Sequence, residues 1–171
     1  YRLLSGAGTG AFDFMYPRNF IAPDGRVFGF ESNGKMYYVD TAGTGAITQA
    51  GQFAGATAGS DASAAMFAPG RILQYGGNSN QAIVIDINGA SPSVTPTGSL
   101  LRQRRLSTAV VMADGKVVAT GGSRVWNEMT DVSYEAEIWN PQTGQWTAGA
   151  LAQKARLYHG NALLLPDATV L

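Results

Sequence analysis

One hairpin pattern occurs four times along the chain, and its regular spacing constrains the fold more than any other feature. Each copy is an apolar strand, a tight turn and a second apolar strand. Asp-Gly and Pro-Gly turns accept the positive φ that tight hairpins require, and the turn glycines Gly25, Gly70 and Gly115 lie 45 residues apart. A period of about 40 to 50 residues with several strands predicts the blades of a β-propeller. The four copies occupy residues 19–30, 64–77, 108–122 and 161–171.

The remainder of each period predicts two further strands. Both strands of every hairpin are nearly continuously apolar, as expected for inner strands that neighbouring blades cover on both faces. The pattern therefore predicts an all-β propeller with about three four-stranded antiparallel blades plus the start of a fourth. A β-sandwich is the alternative, and the constant period argues against it. The further strands are predicted at 35–40, 46–50, 81–87, 91–97, 136–139 and 145–147.

Composition excludes several classes of partner and site. Only 14% of the residues are charged, and 22 glycines and 7 prolines favour short strands and tight turns over helices. Twelve basic and twelve acidic residues cancel, so the positive field of a nucleic-acid-binding protein is missing. No apolar run approaches the roughly 20 residues of a membrane span, so we expect no membrane partner. With no cysteine, the chain can form no disulfide and no thiolate metal site of its own.

The two ends indicate that the chain is a segment of a longer polypeptide. It begins at Tyr1 without a methionine and ends inside the fourth hairpin. Residues 1–15 are predicted to be a linker or the end of a preceding blade, and residues 16–171 are predicted to be propeller blades. The predicted blades cover approximately 16–55, 60–100 and 104–150, with the start of the next blade at 156–171.

Glycine pairs and tryptophans give the repeat a more specific character. Gly76-Gly77 and Gly121-Gly122 follow the second strand of their hairpins, and Trp139 and Trp146 flank an Asn-Pro-x-Thr-Gly turn. These features resemble kelch repeats, in which such tryptophans pack between blades. The resemblance implies a kelch-type β-propeller.

Three segments carry a closer resemblance. They are Tyr16 to Gly25, Ala136 to Trp146, and Arg-Leu-Tyr-His at 156–159 with the Leu-Leu-Leu-Pro-Asp hairpin that follows. These segments resemble copper radical oxidases of the galactose oxidase and glyoxal oxidase type. Their sequences are closer to the glyoxal-oxidase-like branch. The resemblance implies a copper cofactor, oxidation of a primary alcohol or aldehyde with reduction of O2 to H2O2, and a secreted or periplasmic protein.

The same resemblance implies roles for four residues. Tyr158 matches the axial tyrosine that binds copper and accepts the proton of the substrate hydroxyl, and His159 matches an equatorial copper ligand. Arg18 and Leu106 match positions that contact substrate, and Leu106 in place of an aromatic residue indicates a pocket not built for galactose. Imidazole and phenolate are suitable copper ligands. On a regular strand Tyr158 and His159 would point to opposite faces, so joint ligation requires a twist or a bulge.

Alternative interpretations of these residues stay open. A single histidine beside a tyrosine is usually structural, and Arg18 could instead cap a blade through backbone carbonyls. The chain has one histidine and no cysteine, so it lacks the second imidazole and the cysteine-linked tyrosine of the family. We therefore expect this segment alone to hold part of a copper site and to be inactive, its missing groups lying in the remaining blades of the parent propeller.

The implied partners are those remaining blades and a small alcohol, aldehyde or carbohydrate substrate. Nucleic acid and membrane are excluded as above. Exposed blade faces also predict that the chain self-associates, because large apolar faces drive association. A non-catalytic kelch propeller that binds a protein or a carbohydrate through its loops is the alternative function.

Overall fold

The computed structural model describes residues 1–55 and 58–171. Within these ranges the chain forms three antiparallel four-stranded sheets, each with its strands in sequential order, so the predicted all-β blade architecture is confirmed. Blade 1 contains β1 (Arg18–Ile21), β2 (Val27–Phe30), β3 (Lys35–Asp40) and β4 (Ala46–Gln52). Blade 2 contains β5 (Ala62–Ala68), β6 (Arg71–Gly76), β7 (Ala82–Asp86) and β8 (Ser93–Thr97). Blade 3 contains β9 (Thr108–Val111), β10 (Val117–Thr120), β11 (Glu135–Asn140) and β12 (Gln145–Leu151).

The fourth hairpin forms a turn without a full ladder. Its strands meet in a single antiparallel bridge between Leu164 and Val170. Asp167 accepts the backbone N–H of Thr169 at 3.0 Å, the same contact that an aspartate makes in the turns of blades 1 and 3. Ala168 occupies the glycine position with φ of 66°. The turn is therefore made by alanine in a left-handed conformation that usually favours glycine.

Glycine pairs allow blades 2 and 3 to bind the chain segment that follows each of them. The N–H of Gly77 donates to the carbonyl of Arg104 at 3.0 Å, and the N–H of Gly122 donates to the carbonyl of Arg156 at 2.7 Å. A Cβ at Gly121 would stand 2.7 Å from the Arg156 carbonyl oxygen, a separation that real Cβ atoms do not show. The pairs at the end of β6 and after β10 are thus close-approach sites, and the second of them anchors the segment that contains Tyr158 and His159.

Two apolar clusters fill the spaces between blades. Between blades 2 and 3, Trp146 meets Tyr75 edge-on at 5.1 Å between ring centroids, and Trp139 meets Phe67 at 4.8 Å. These contacts confirm that the tryptophans pack between blades. The cluster between blades 1 and 2 contains Ala22, Phe28, Phe30, Met36, Tyr38, Phe53, Ile72, Ile85 and Ile87.

A buried ion pair lies within the junction of blades 2 and 3. Arg104 and Glu137 are 2.8 Å apart, and their side chains are 0% and 1% exposed. Arg104 also donates to the carbonyls of Gly121 and Glu135, and Glu137 accepts the N–H of Leu101 at 2.6 Å. Because buried charges are tolerated only when paired and hydrogen-bonded, this network ties the segment before β9 to β11.

Residues 1–17 contain no strand and pack along blade 1. Phe12 and Phe14 contact the ring of Tyr37 at centroid distances of 5.1 and 5.5 Å. The N–H of Phe14 donates to the buried carboxylate of Glu31 at 2.6 Å. The outer face of β3 is therefore covered by the preceding chain. No helix in the described part of the chain is long and apolar enough to cross a membrane.

Candidate functional site

Three chain segments that lead into blades meet around one small pocket. The pocket has a volume of about 190 Å³ and is lined by Leu106, Tyr158 and His159, three of the four residues that the sequence singled out. The other lining residues are Ser60, Asp61, Ala62, Ser107, Thr108 and Gly160. Residues 60–61 precede β5, residues 106–107 precede β9, and residues 158–160 follow blade 3, so the fold assembles the pocket from positions far apart in sequence.

Tyr158 and His159 lie in a turn and face the same side. Their rings stack with centroids 3.7 Å apart and planes inclined by 27°. His159 has φ of 63°, which lies in the left-handed region. This conformation supplies the local twist that two adjacent ligands require, because on a regular strand the two side chains would point to opposite faces.

The segment of Tyr158 is anchored to blade 3 and to the loop between β10 and β11. The hydroxyl of Thr108 donates to the carbonyl of Gly160 at 2.9 Å. The N–H of Tyr158 donates to the side chain of Asn127 at 3.3 Å, and the ring of Trp126 stands 6.3 Å from that of Tyr158. These contacts hold a half-buried tyrosine at the mouth of the pocket.

The phenol of Tyr158 shares a hydrogen bond with the phenol of Tyr16. Their Oη atoms are 2.7 Å apart, although the residues are 142 positions apart in sequence. This hydrogen bond raises the pKa of Tyr158 above its usual value, with smaller contributions from desolvation and from the charge of Tyr16. A bound cation would act in the opposite direction and lower the pKa of this phenol.

Arg18 lies beside the pocket and does not line it. Its guanidinium donates to the carbonyls of Tyr16 at 3.0 Å, Gly59 and Ser60 at 3.1 Å, and to that of Ala62. Burial lowers the pKa of Arg18, and the nearby Asp61 carboxylate opposes that change. Such contacts are those expected if Arg18 caps a blade through backbone carbonyls, the alternative role given above. Contact of Arg18 with a substrate stays a prediction.

Leu106 forms the apolar wall of the pocket. It has φ of 57°, and its N–H donates to the carbonyl of Asp61 at 2.8 Å. Asp61 in turn pairs with Arg105 at 2.7 Å. The ion pair and the backbone hydrogen bond together hold the segments before β5 and β9 against each other.

Two residues of the site were not among the candidates from the sequence. Tyr16 lies in one of the segments that carry the family resemblance, so its position in the site could have been anticipated from that segment. Asp61 has no comparable signal, because an isolated aspartate before an alanine-rich strand has no pattern to distinguish it. Only the meeting of distant segments reveals that Asp61 lines the pocket.

The donor types at the site suit part of a copper centre. The Tyr158 phenol and the His159 imidazole are oxygen and nitrogen ligands that copper accepts. Among the described residues no three His, Cys, Asp or Glu side chains come together as a metal cluster. The two side chains therefore fit a copper ion as part of its coordination shell, and further donors are needed to complete it.

Comparison with known proteins supports the same fold. A kelch motif model matches residues 104–150, which span blade 3 and the segment leading into it. A search of curated protein sequences finds no match. Among solved structures, the chain is similar to a fungal alcohol oxidase of the AA5 family with catalytic diversity, which was solved in complex with copper.

The similarity to this oxidase covers nearly the whole chain. The TM-score is 0.82 at 26% sequence identity, and the match covers 97% of this chain and 37% of the oxidase. The chain therefore spans little more than a third of the length of that protein. The resemblance to galactose-oxidase-like kelch propellers is confirmed, while the roles of individual site residues stay predictions.

Proposed function

We propose that the chain is part of a copper radical oxidase of the glyoxal oxidase and galactose oxidase type. The whole protein would oxidise a primary alcohol or aldehyde and reduce O2 to H2O2. The observation that supports this most directly is the stacked Tyr158–His159 pair facing a pocket, within a fold similar to a copper-containing alcohol oxidase. Such a protein would be secreted or periplasmic.

In this proposal each side chain at the pocket has a defined task. Tyr158 and His159 would hold copper, which when bound supplies a one-electron acceptor and a Lewis acid. The Oη of Tyr158 would accept the proton of the substrate hydroxyl, and a phenolate beside a cation is a suitable base. Leu106 would form an apolar wall that excludes water and limits the shape of the substrate. Arg18 would hold the pocket wall through the carbonyls that it binds.

The proposal also explains why this chain alone should be inactive. A tetragonal copper site needs about four donors, and two adjacent side chains leave most of them to be supplied elsewhere. We propose that the second histidine and the cysteine-linked tyrosine lie in other blades of a longer propeller. The isolated chain would therefore bind copper weakly and release no peroxide.

A non-catalytic binding propeller is the second candidate. Trp126 and Tyr16 are each 53% exposed beside the pocket, and exposed aromatic rings offer contact surfaces to a protein or a carbohydrate. This candidate would need neither copper nor the hydroxyl of Tyr158. The two functions can therefore be separated by measuring metal binding.

Calorimetric titration of the chain with Cu²⁺ tests the proposal. We expect weak binding that is lost in His159→Ala and retained in Asp131→Asn, a control that removes an exposed carboxylate elsewhere on blade 3. Equal binding by the wild type and His159→Ala would contradict a copper role for this site and would favour the binding propeller. Tight, His159-dependent binding would instead show a more complete site, supplied across two copies.

A further inference from the structure

The hydrogen bond between Tyr16 and Tyr158 joins two distant parts of the site. Tyr16 precedes β1 of blade 1, whereas Tyr158 follows blade 3. Their Oη–Oη distance of 2.7 Å is the ordinary length of a hydroxyl–hydroxyl hydrogen bond. The contact therefore connects the segment before blade 1 with the segment after blade 3, which borders the pocket.

The other neighbours of Tyr158 hold its backbone and its ring. Asn127 accepts the Tyr158 N–H, while His159 stacks on one face of the ring. Trp126 lies further away and at an angle of 37°. The phenolic oxygen of Tyr158 forms its hydrogen bond with the hydroxyl of Tyr16. Because the phenolic oxygen lies on the axis of the ring, this hydrogen bond restrains the ring from its hydroxyl end and adds to the contacts at the backbone and the ring face.

Tyr16 is itself fixed relative to the pocket wall. Arg18 donates to the carbonyl of Tyr16 at 3.0 Å and to the carbonyl of Ser60, a lining residue, at 3.1 Å. Tyr16 has φ of 48°, and His159, on the other side of the hydrogen bond, has φ of 63°. Non-glycine residues in the left-handed region carry strain that the surrounding contacts must maintain, and such strain concentrates at functional sites.

We propose that Tyr16 is a positioning residue, whose hydroxyl holds the Tyr158 phenol beside His159 in the geometry that a cation would meet. Without the Tyr16 hydroxyl, Tyr158 keeps its stacking on His159 but loses the hydrogen bond at its hydroxyl end, so other staggered χ1 rotamers become more accessible. The metal-directed part of this inference rests on the proposed copper function. The positional part concerns the chain alone.

The first experiment measures the positional part without metal. Amide hydrogen exchange at Tyr158 and Gly160 is followed by NMR in the wild type, Tyr16→Phe and Tyr134→Phe, where Tyr134 is an exposed tyrosine outside the pocket. We expect Tyr16→Phe to accelerate exchange about two- to tenfold, the change that corresponds to the loss of one typical hydrogen bond, and the control to leave it unchanged. Unchanged exchange in Tyr16→Phe would overturn the proposal.

The second experiment measures whether the position of the Tyr158 phenol affects its coordination of copper. Cu²⁺ alone is titrated into each variant while the phenolate-to-copper absorption band is recorded per bound ion. We expect Tyr158→Phe to abolish the band, Tyr16→Phe to weaken it, and Tyr134→Phe to leave it intact. A purely structural role for Tyr16 would leave the band unchanged, and that result would overturn the metal-directed part.

The two experiments distinguish failure of this inference from failure of the proposed function. If the wild type binds no Cu²⁺, the proposed copper function fails, and the metal-directed part of the inference fails with it. The hydrogen-exchange measurement then still tests whether the Tyr16 hydroxyl holds the Tyr158 phenol in place. If Cu²⁺ binds with a full phenolate band in Tyr16→Phe, the copper function stands and the positioning role of Tyr16 is overturned.

Discussion

Two ion pairs in this chain show how burial changes what a charged residue does. Arg104 and Glu137 are fully buried and bind backbone groups of three segments, at Leu101, Gly121 and Glu135. Arg124 and Asp131 also pair, but their side chains are 60% and 47% exposed. Water screens the exposed pair and replaces its contacts when it breaks, whereas a partner lost from the buried pair leaves an uncompensated charge.

Glu137→Gln tests this difference. We expect the free energy of unfolding to fall by about 3 kcal/mol, because the Arg104 charge stays buried without its carboxylate. Asp131→Asn is the matched control, and its effect should stay below about 1 kcal/mol. Urea denaturation followed by tryptophan fluorescence measures both. Similar losses in the two variants would show that the buried pair does not stabilise the junction of blades 2 and 3.

Tyr75 should make the stability of the fold depend on alkaline pH. Burial raises the pKa of Tyr75 to about 12, whereas the unfolded chain should titrate this phenol near its usual value of 10.0. The folded state therefore retains a proton that the unfolded state releases. The contribution is complete below pH 10 and is lost as the pH rises towards 12, a change of about 2 to 3 kcal/mol.

The measurement compares the wild type with Tyr75→Phe in denaturant titrations between about pH 9 and pH 12. Phenylalanine cannot ionise, so the variant should lose less stability over this interval, even though it also lacks the hydrogen bond to the Thr108 carbonyl. The exposed Tyr134→Phe should follow the wild type. Parallel pH profiles for the wild type and Tyr75→Phe would contradict the prediction.

At the level of secondary-structure elements, the hairpin turns determine the repeat. Gly25 and Gly115 have φ of 85° and 80° and meet no atom closer than 4.0 Å at the position of a Cβ, so backbone conformation alone favours glycine there. Ala168 adopts the same left-handed region in the fourth turn. The fourth hairpin therefore combines a strained turn with a short ladder, in which Leu163 and Leu171 exchange two backbone hydrogen bonds and Leu165 donates to Thr169.

Ala168→Gly should stabilise the fourth hairpin, and Gly115→Ala should destabilise the third. Each change should alter the free energy of the turn by about 1 kcal/mol, because a Cβ in the left-handed region costs roughly that amount. Hydrogen exchange of the Leu165 amide, which donates to the Thr169 carbonyl, reports on the fourth turn. Global unfolding reports on the third. An Ala168→Gly variant with faster exchange would contradict this account of the strain.

At the scale of the whole molecule, the outer faces of blade 1 and blade 3 differ in how far other parts of the chain cover them. The outer face of blade 1 is covered by residues 11–14, which pack on Tyr37. The outer face of blade 3 borders an apolar cavity of about 530 Å³, lined in part by Val118, Ile138 and Leu151. The C-terminal hairpin covers only part of this face, and Leu151 is 73% exposed. The predicted self-association should therefore involve blade 3.

Sedimentation equilibrium over a range of concentrations tests this prediction. We expect association that Leu151→Glu weakens about tenfold or more, because a buried leucine contributes roughly 1.5 to 3 kcal/mol. Leu3→Glu is the matched control, since Leu3 is 85% exposed at the opposite end. A monomer at every concentration would contradict self-association. Equal weakening by the two variants would place the contact elsewhere.

The fold could be predicted from the sequence because its determinants are local and repeated. The hairpin turns at Gly25, Gly70 and Gly115 and the nearly continuously apolar strands recur at one period, and each copy predicts the same blade. The tryptophans of blade 3 likewise pack between blades as their motif indicated. Because the same pattern occurs four times, an error in the predicted boundary of one strand does not change the predicted architecture.

The candidate site depends on tertiary structure because its residues come from segments that only folding brings together. The motif at 156–159 identified Tyr158 and His159, but their stacking follows from the left-handed backbone of His159, which the sequence does not encode in any recognisable pattern. Asp61 lines the pocket and pairs with Arg105, and Tyr16 contacts the lining residue Tyr158, each across more than 40 residues of sequence. Local patterns therefore determined the blades, and long-range packing alone decided which side chains share the pocket.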